Sequence, residues 1–352
     1  LQALVAAHKI RLGDDGYRIP TPTEDDWETQ RAALKPKRAD TNQVLRETME
    51  RLWQPQPSHT LLSTRVFKGS LWLDGRERIK GDIQFQVRLA EDKADYERLC
   101  DESRRQSQAE RETVFWVIPV DEKIDKEVTE VFRSKEMITK KERGAQTSAE
   151  TRLLSEEGRR RDTHRGEVRR LLEQAALSSM VYFRGNDRSP DENDVTVVKA
   201  AESILAHSLP DVFDRFSDGA ARVAKKDLTA MLESEDLRGL PSVFSTLKLL
   251  RNEGGTLVVE TDSGPLAEIL TWISNKSDYG VNPQGKALEA EFGSSPYGWD
   301  VDVVKLFTLC LLRAGQITAT SQGLSINAVE DFGASDVFTN NTKFRSATFR
   351  PK

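Results

Sequence analysis

The sequence predicts an α+β chain, mainly helical, in which winged-helix-like units accompany a small α/β domain and a long charged helical arm. Three observations lead there. Apolar and polar residues alternate over 83–89, and a continuous apolar run follows at 114–120; the first is the pattern of a strand buried on one face, the second of one buried on both. No proline occurs between Pro119 and Pro190, and apolar residues in that interval recur at helical spacing. Residues 301–326 run from an apolar helix through a glycine into a short hairpin, the order of a winged helix.

Residues 1–21 read as the end of a helix (Leu4, Val5, Ala7, His8) and then a hairpin turning at Asp15-Gly16 before Tyr17 and Ile19, a first helix-then-wing order. Pro20 and Pro22 close it, and Thr23-Glu24-Asp25-Asp26 opens an acidic helix reaching about Leu34. A helix over 41–53 then ends on the proline-bearing loop 54–58, a domain boundary. Strands occupy 61–90, with turns at Asp74-Gly75 and Lys80-Gly81; Ile83, Phe85, Val87 and Leu89 face the core while Gln84, Gln86 and Arg88 face water. A helix over 93–106 leads to the buried strand at 114–120.

Beyond it, Ile124, Val128, Val131, Phe132, Met137 and Ile138, then Leu153, Leu154, Val168, Leu171 and Leu172, mark helices. The sequence between those ends is highly polar and interrupted by Gly144, Gly158 and Gly166, which predicts a projecting helical hairpin or coiled-coil arm rather than a packed core. A short strand at 181–184 precedes a linker containing Pro190. Helices then dominate to residue 250, where a helix-to-strand order recurs through Gly254-Gly255, and a helix spans 265–276 with Leu266, Ile269, Leu270, Trp272 and Ile273 on one side. In the last such unit Val301, Val304, Leu306, Leu309, Leu311 and Leu312 crowd a helix that Asp300 or Asp302 caps and Gly315 stops; Ile317 and Ala319 then alternate with threonines before Ser321-Gln322-Gly323 turns the chain. A loose tail rich in Asn, Ser and Thr follows. The resulting division is a winged-helix remnant (1–22), a helical linker (23–58), the α/β domain (59–122), the arm (123–180), a helical domain with short strands (181–276) and a C-terminal winged-helix-like domain with its tail (277–352).

At 352 residues and 37% hydrophobic content the chain can build two or three cores, while 31% charged residues and the lack of an apolar run of about 20 residues predict a soluble, cytoplasmic protein without membrane contact. The first residue is Leu1 rather than Met, inside an apparent helix, so the sequence reads as a piece of something longer. Cys100 and Cys310 lie within apolar helical patterns and read as reduced core residues; none of His8, His59, His164 and His207 has a partner at ligand spacing, so no metal site is expected. The net charge of −5 excludes a chain wholly dedicated to nucleic acid. Charge is uneven, however: from Asp191 onward 16 basic residues face 23 acidic ones, whereas 133–170 holds 12 basic and 7 acidic.

Within that basic stretch Arg159, Arg160, Arg161, Arg165, Arg169 and Arg170 are the candidate contacts to a phosphate backbone or an acidic partner, although Glu156, Glu157, Asp162 and Glu167 stand at ion-pairing distance along the helix. Residues 280–287 match G-x4-G-K but end in Ala287 where a phosphate loop needs Ser or Thr, and they follow a helix, so the match is fortuitous. Asp121-Glu122 after the apolar strand imitates a magnesium-binding pair but precedes that loop, and Asp121 reads as a helix cap. No catalytic constellation is visible. Tyr297, Gly298 and Trp299 read as a structural turn stapling the last helix to its domain.

Ser295-Pro296-Tyr297-Gly298-Trp299, standing before an apolar helix and Gly315-Gln316-Ile317-Thr318-Ala319-Thr320, resembles the C-terminal half of the BrxC/PglY proteins, large P-loop subunits of BREX phage-exclusion systems. Gly16-Tyr17-Arg18-Ile19 before an acidic helix, and the Arg-rich helix 154–172 leading to Val181-Tyr182-Phe183-Arg184-Gly185, add to the resemblance. It implies an AAA-type ATPase whose nucleotide site, with ATP and magnesium, lies upstream of Leu1, and which acts with a DNA methyltransferase and other BREX subunits against phage DNA. This chain would then be a non-catalytic scaffold and interaction region that couples the motor to duplex DNA or partner subunits. A degenerate nucleotide hydrolase using Lys286 with Asp121 and Glu122, or an oligomerisation module built on the arm, are the alternatives.

Overall fold

The computed structural model describes residues 11–13, 16–144 and 147–352, with side chains from Ile19 onward. The helix expected over Leu4–His8 lies outside the described residues; the hairpin after it is present as β1 (Arg11–Gly13) paired antiparallel with β2 (Gly16–Arg18). The chain forms two compact units: residues 1–58 with 67–205, and residues 59–66 with 206–352. It is α+β and mainly helical.

The main sheet is mixed and its path is β3 (Ser58–Leu61), β4 (Arg65–Leu73), β6 (Ile83–Ala90), β7 (Thr113–Pro119), β8 (Met180–Phe183) and β9 (Asn186–Arg188), with β5 (Arg76–Ile79) as a further antiparallel partner of β4; from Phe67 onward it belongs to the first unit. β4, β6 and β7 run parallel; β8 and β9 add antiparallel. Asp74 and Gly75 both have positive φ, as the tight turn between β4 and β5 requires. Parallel strands need a crossover, and α3 (Lys93–Ala109) supplies it between β6 and β7. Phe115 and Val117 of β7 point to that side, where they join Ala90, Tyr182, Tyr96, Leu99 and Cys100. The alternate residues face the other way. Trp116 meets Trp53 at 6.3 Å and donates from its indole nitrogen to the Ser179 hydroxyl at 2.8 Å, while Trp53 sits edge-on to Phe85 at 5.2 Å.

Ahead of the loop that contains Pro190 the chain adds a strand that the sequence does not announce: Arg184 and Gly185, both with positive φ, turn β8 into β9. The hydrophobic Tyr182 is buried there, and the polar loop after it is only the hairpin's exit.

Residues 123–180 also differ from expectation. They form α4 (Glu122–Lys141) and α5 (Ser148–Leu177), but these pack into the unit instead of projecting: Ile124, Val128, Val131, Met137, Leu153, Val168 and Leu172 are all buried. The polarity that suggests a solvated arm serves a third helix, α1 (Pro22–Ala33), which Thr21 and Glu24 open with a reciprocal capping box. The buried residues of α1 are Glu24, Trp27, Glu28 and Arg31, a stripe at i, i+3, i+4 and i+7 that is ordinarily apolar. Arg31 bonds Glu157 at 2.8 Å and Glu130 at 2.6 Å, and the Trp27 indole donates to Glu157 at 3.2 Å. Leu34, just past α1, accepts from Arg133, and α2 (Arg38–Leu52) continues to Trp53.

The second unit surrounds α11 (Val301–Arg313), whose residues from Val303 to Leu312 are buried without exception. Asp300 caps it by accepting from the Asp302 N–H. Its other end is a Schellman motif: Gln316 N–H bonds the Leu311 carbonyl at 3.0 Å, Gly315 N–H bonds Leu312 at 2.9 Å, and Gly315 has φ 69°. β12 (Ile317–Ser321) and β13 (Leu324–Ile326) follow as a hairpin. The rest of the unit comprises the end of α6 (Val197–Val212), α7 (Lys225–Glu233), α8 (Ser242–Thr246), a hairpin of β10 (Leu250–Glu253) and β11 (Thr256–Val259), α9 (Gly264–Asp278) and α10 (Gly285–Gly293). The helix-to-strand order expected near 250 is thus a hairpin, because Gly254 and Gly255 supply two positive φ angles. Nor is the tail loose. α12 (Ala334–Thr339), α13 (Asn341–Ser346) and β14 (Thr348–Pro351) fold onto the unit, β14 pairing with β12, because Phe338, Phe344 and Phe349 are buried against one another with ring centres 5.6–6.3 Å apart.

Burial alone would raise the Glu157 carboxyl, but hydrogen bonds from Ser134, Arg31 and Trp27 and the Arg31 charge hold it below the usual carboxylate range. The same balance depresses Glu130. Groups whose folded values are depressed stabilise above their unfolded values, so stability is expected to fall as pH drops from about 4.3 through the lowered folded values. Urea titrations at a series of pH values should show this loss in the unmodified protein and less of it in Glu157→Gln. At pH 7, Glu157→Ala leaves the buried Arg31 with Glu130 as its one close carboxylate and the buried Trp27 indole without its acceptor, and should cost about 1–3 kcal/mol in the same assay.

Candidate functional site

The six arginines of the basic stretch all lie on α5 but do not act alike. Arg160 donates to Glu28 of α1 at 2.8 Å, Arg161 pairs with its neighbour Asp162 at 2.9 Å, and Arg170 grips Glu167 and Gln174 on its own helix. Arg159, Arg165 and Arg169 have no ion-pair partner within 4 Å among the described residues; Arg159 and Arg169 are exposed and Arg165 is half-buried. Arg159 and Arg169 are therefore the exposed, unpaired part of the face, and Arg170, exposed but tied to Glu167 on its own helix, continues it, the three spread over roughly 16 Å of helix at 1.5 Å per residue. Arg152, further toward the N-terminus, donates to Glu24 at 2.9 Å; the basic stretch points to this arginine only weakly, since its partner lies 128 residues away. His164 is likewise engaged, with Nδ1 2.6 Å from Glu127.

The Tyr297-Gly298-Trp299 turn is a packing knot in the second unit. Trp299 is buried, stacked on Phe292 at 5.4 Å, edge-on to Phe307 at 5.2 Å, and its indole donates to the Arg215 carbonyl at 3.1 Å. Arg65 donates to the carbonyls of Gly298 at 2.7 Å and Trp299 at 3.0 Å. Gly298 has φ 62°, and a Cβ there would lie 2.6 Å from Phe213. Gly219 is as tightly placed, 2.5 Å from the Trp299 ring by the same measure. Lys305 of α11 is buried, held by Asn341 at 2.7 Å and Asp302 at 2.5 Å, so this helix presents little positive charge to a ligand.

Nucleotide contacts find no support in the residues weighed for them. The segment 280–287 follows helix α9; Gly285 N–H bonds the Ala347 carbonyl at 2.9 Å and a Cβ there would collide with the Phe344 carbonyl, so this glycine faces protein rather than phosphate. Asp121 accepts from the Ile124 N–H at 2.9 Å as the cap of α4. Asp121 and Glu122 do border a cleft of about 490 Å³ at the carboxyl ends of β6 and β7, together with Arg38, Asn42, Glu91 and Lys126. The cleft lies where those parallel strands end, walled by the starts of α2 and α4, and Arg38 is already paired with Glu91 there. Among the described residues no three His, Cys, Asp or Glu side chains are grouped to hold a metal, and no helix is long and apolar enough to cross a membrane. Cys310 is fully buried and its thiol is pushed well up by desolvation; Tyr96, beside Cys100, is pushed up to about 12, chiefly by burial.

Because Trp299 fills a closed ring of aromatic side chains, Trp299→Ala should destabilise the protein by about 3–5 kcal/mol. Gly219→Ala, which drives a methyl into the same ring, should cost about 1–3 kcal/mol. Both are measured by urea unfolding.

Comparison with known families adds an identity to this geometry. Residues 24–202 match the family model described as the BREX ATP-binding protein BrxC 4th domain with six-stranded beta sheet. The matched span contains all but the first two residues of α1, the arginine-bearing α5 and the whole sheet, whose main path has six strands with β5 beside it. The Tyr297-Gly298-Trp299 turn lies outside it. Comparison with curated proteins and with solved structures finds no match. With just over half of its residues in that match, and with the sheet its description calls for, the chain belongs to the BrxC family of BREX ATP-binding proteins.

Proposed function

We propose that this part of a BrxC protein is a non-catalytic scaffold that couples an AAA-type ATPase to duplex DNA or to partner subunits of the BREX system, a DNA methyltransferase among them, in defence against phage. ATP and magnesium are then handled by residues other than Lys286, Asp121 and Glu122. The observation that carries the reading is the open arginine row: Arg159, Arg169 and Arg170 present charge on a helix whose other side is anchored in a core, so the row is held in fixed register. On this reading the segments 1–22 and 277–352, whose sequences have a helix-then-wing order, are winged-helix-like lids or partner platforms, since in the second of them Lys305 is buried and Arg313 is engaged by Glu330 and the Glu235 carbonyl. The α4–α5 pair is the coiled-coil-like element, packed instead of free, and a cytoplasmic setting follows from a DNA-directed role.

Gel-shift titration with a mixed-sequence DNA duplex over a salt series tests the DNA contact. Affinity is expected to fall with rising salt, and the triple variant Arg159→Gln/Arg169→Gln/Arg170→Gln should flatten the slope of log K against log salt by up to about 2.7, at 0.9 per phosphate contact. Absent or salt-independent binding would remove DNA as the ligand and leave a protein partner.

A further inference from the structure

Helix α1 carries two carboxylates where a phosphate-binding surface carries its ligand. Glu24 and Glu28 are nearly buried and each holds an arginine of α5, Arg152 at 2.9 Å and Arg160 at 2.8 Å, closer than the carboxylates of α5 itself, Glu156 at 3.7 Å from Arg152 and Glu157 at 3.6 Å from Arg160. These are charge-assisted contacts of the length phosphate oxygens also make with guanidinium groups. At 100° per residue Arg152, Arg159 and Arg170 fall within about 20° of one another around α5, so Arg152 lies in line with the open row and Arg160 flanks it. With Arg152 free the row would lengthen from roughly 16 Å to roughly 27 Å.

The way α1 is held makes it removable. Its buried stripe has one apolar residue, Trp27, which packs on Met137 and Leu153 with Leu34 and Leu154 alongside. Everything else at the contact is polar: Glu24, Glu28 and Arg31 on α1, and Arg152, Glu157, Arg160, Glu130 and Ser134 beneath it. Such groups regain hydration when separated, so undocking exposes only a small apolar patch, the character of an interface that opens and closes. The hinge is short, Leu34 to Lys37 with Pro36 between, ahead of α2. Through Thr21 and Pro22, α1 also continues directly from the β1–β2 hairpin, so whatever moves that hairpin pulls on α1.

We propose that α1 is an intramolecular phosphate mimic: docked, its Glu24 and Glu28 occupy Arg152 and Arg160, and undocked it releases both arginines to extend the anion-binding row of α5 along a nucleic-acid backbone. The proposal rests on the reading of α5 as a DNA contact and adds its regulation. DNA and α1 compete for the same guanidinium groups, so bound DNA favours the undocked helix and an undocked helix favours DNA.

The test uses the whole chain and a mixed-sequence 30-bp duplex. Glu24→Gln/Glu28→Gln removes both charges, while the introduced glutamine amide after Thr21 still serves the capping box that opens α1. This variant should bind the duplex severalfold more tightly, with a salt slope steeper by about 1.8. Arg152→Gln/Arg160→Gln should change binding little in the unmodified background and cancel the gain in the Glu variant. Hydrogen exchange on the unmodified protein needs no variant: amides of residues 22–33 should exchange faster in saturating duplex. Equal affinity of the Glu variant and the unmodified protein, or unchanged or slower exchange of 22–33 with DNA bound, overturns the competition while leaving the arginine row as a DNA contact. An unmodified protein that does not bind the duplex at all overturns the underlying reading and this proposal with it.

Discussion

The sheet of the first unit depends on one constraint: β7 is apolar on both faces and pairs in parallel with β6, so it must be covered twice. Parallel pairing forces a crossover, and α3 provides both the crossover and the first cover, over Phe115 and Val117. The second face, with Trp116, needs a different set of helices. Trp53 at the end of α2 reaches it, and α5 arrives with Ala176 and Ser179 against the same indole. The helices that bear charge are therefore brought to the sheet by an apolar demand, and their polar sides are left to find partners among themselves.

How they do so explains the main misreading of the sequence. Glu and Arg residues along 133–170 resemble a solvated helix because local ion pairs account for the pattern. Several of them instead meet residues more than 100 positions earlier, where Arg31 bridges Glu130 and Glu157 in a buried site. Periodicity marks apolar stripes; a stripe made of Glu24, Trp27, Glu28 and Arg31 is invisible to it. A buried pair of this kind fixes which helix faces which more than it adds net stability, since both ions must first be stripped of water.

The second unit is held by shape instead of charge. Trp299 sits among Phe292, Phe307, Tyr297 and the bare backbone of Gly219, and two glycines are required so that the chain can come close to aromatic rings. Two of its cations are engaged within the unit: Lys305 is buried and Arg345 is paired bidentately with Glu289.

Local chemistry was legible from residues alone. The strand alternation at Ile83–Val87, the doubly buried run of β7, the Asp300 cap and Gly315 stop of α11, the fortuitous nature of the Gly285-Lys286 match and the resemblance to BrxC all follow from neighbours in sequence, because caps, turns and periodicity are short-range effects. The arginines of α5 were legible as a set. Which of them are open was not, since Arg160 and Arg152 are decided by Glu28 and Glu24, 132 and 128 residues earlier. The same holds for the hairpin at Arg184-Gly185, the folded tail around Phe338, Phe344 and Phe349, and the cleft at the ends of β6 and β7. Each depends on a long-range pairing that chain collapse selects, because the free energy of burying a side chain or a charge is set by what covers it rather than by what adjoins it in sequence.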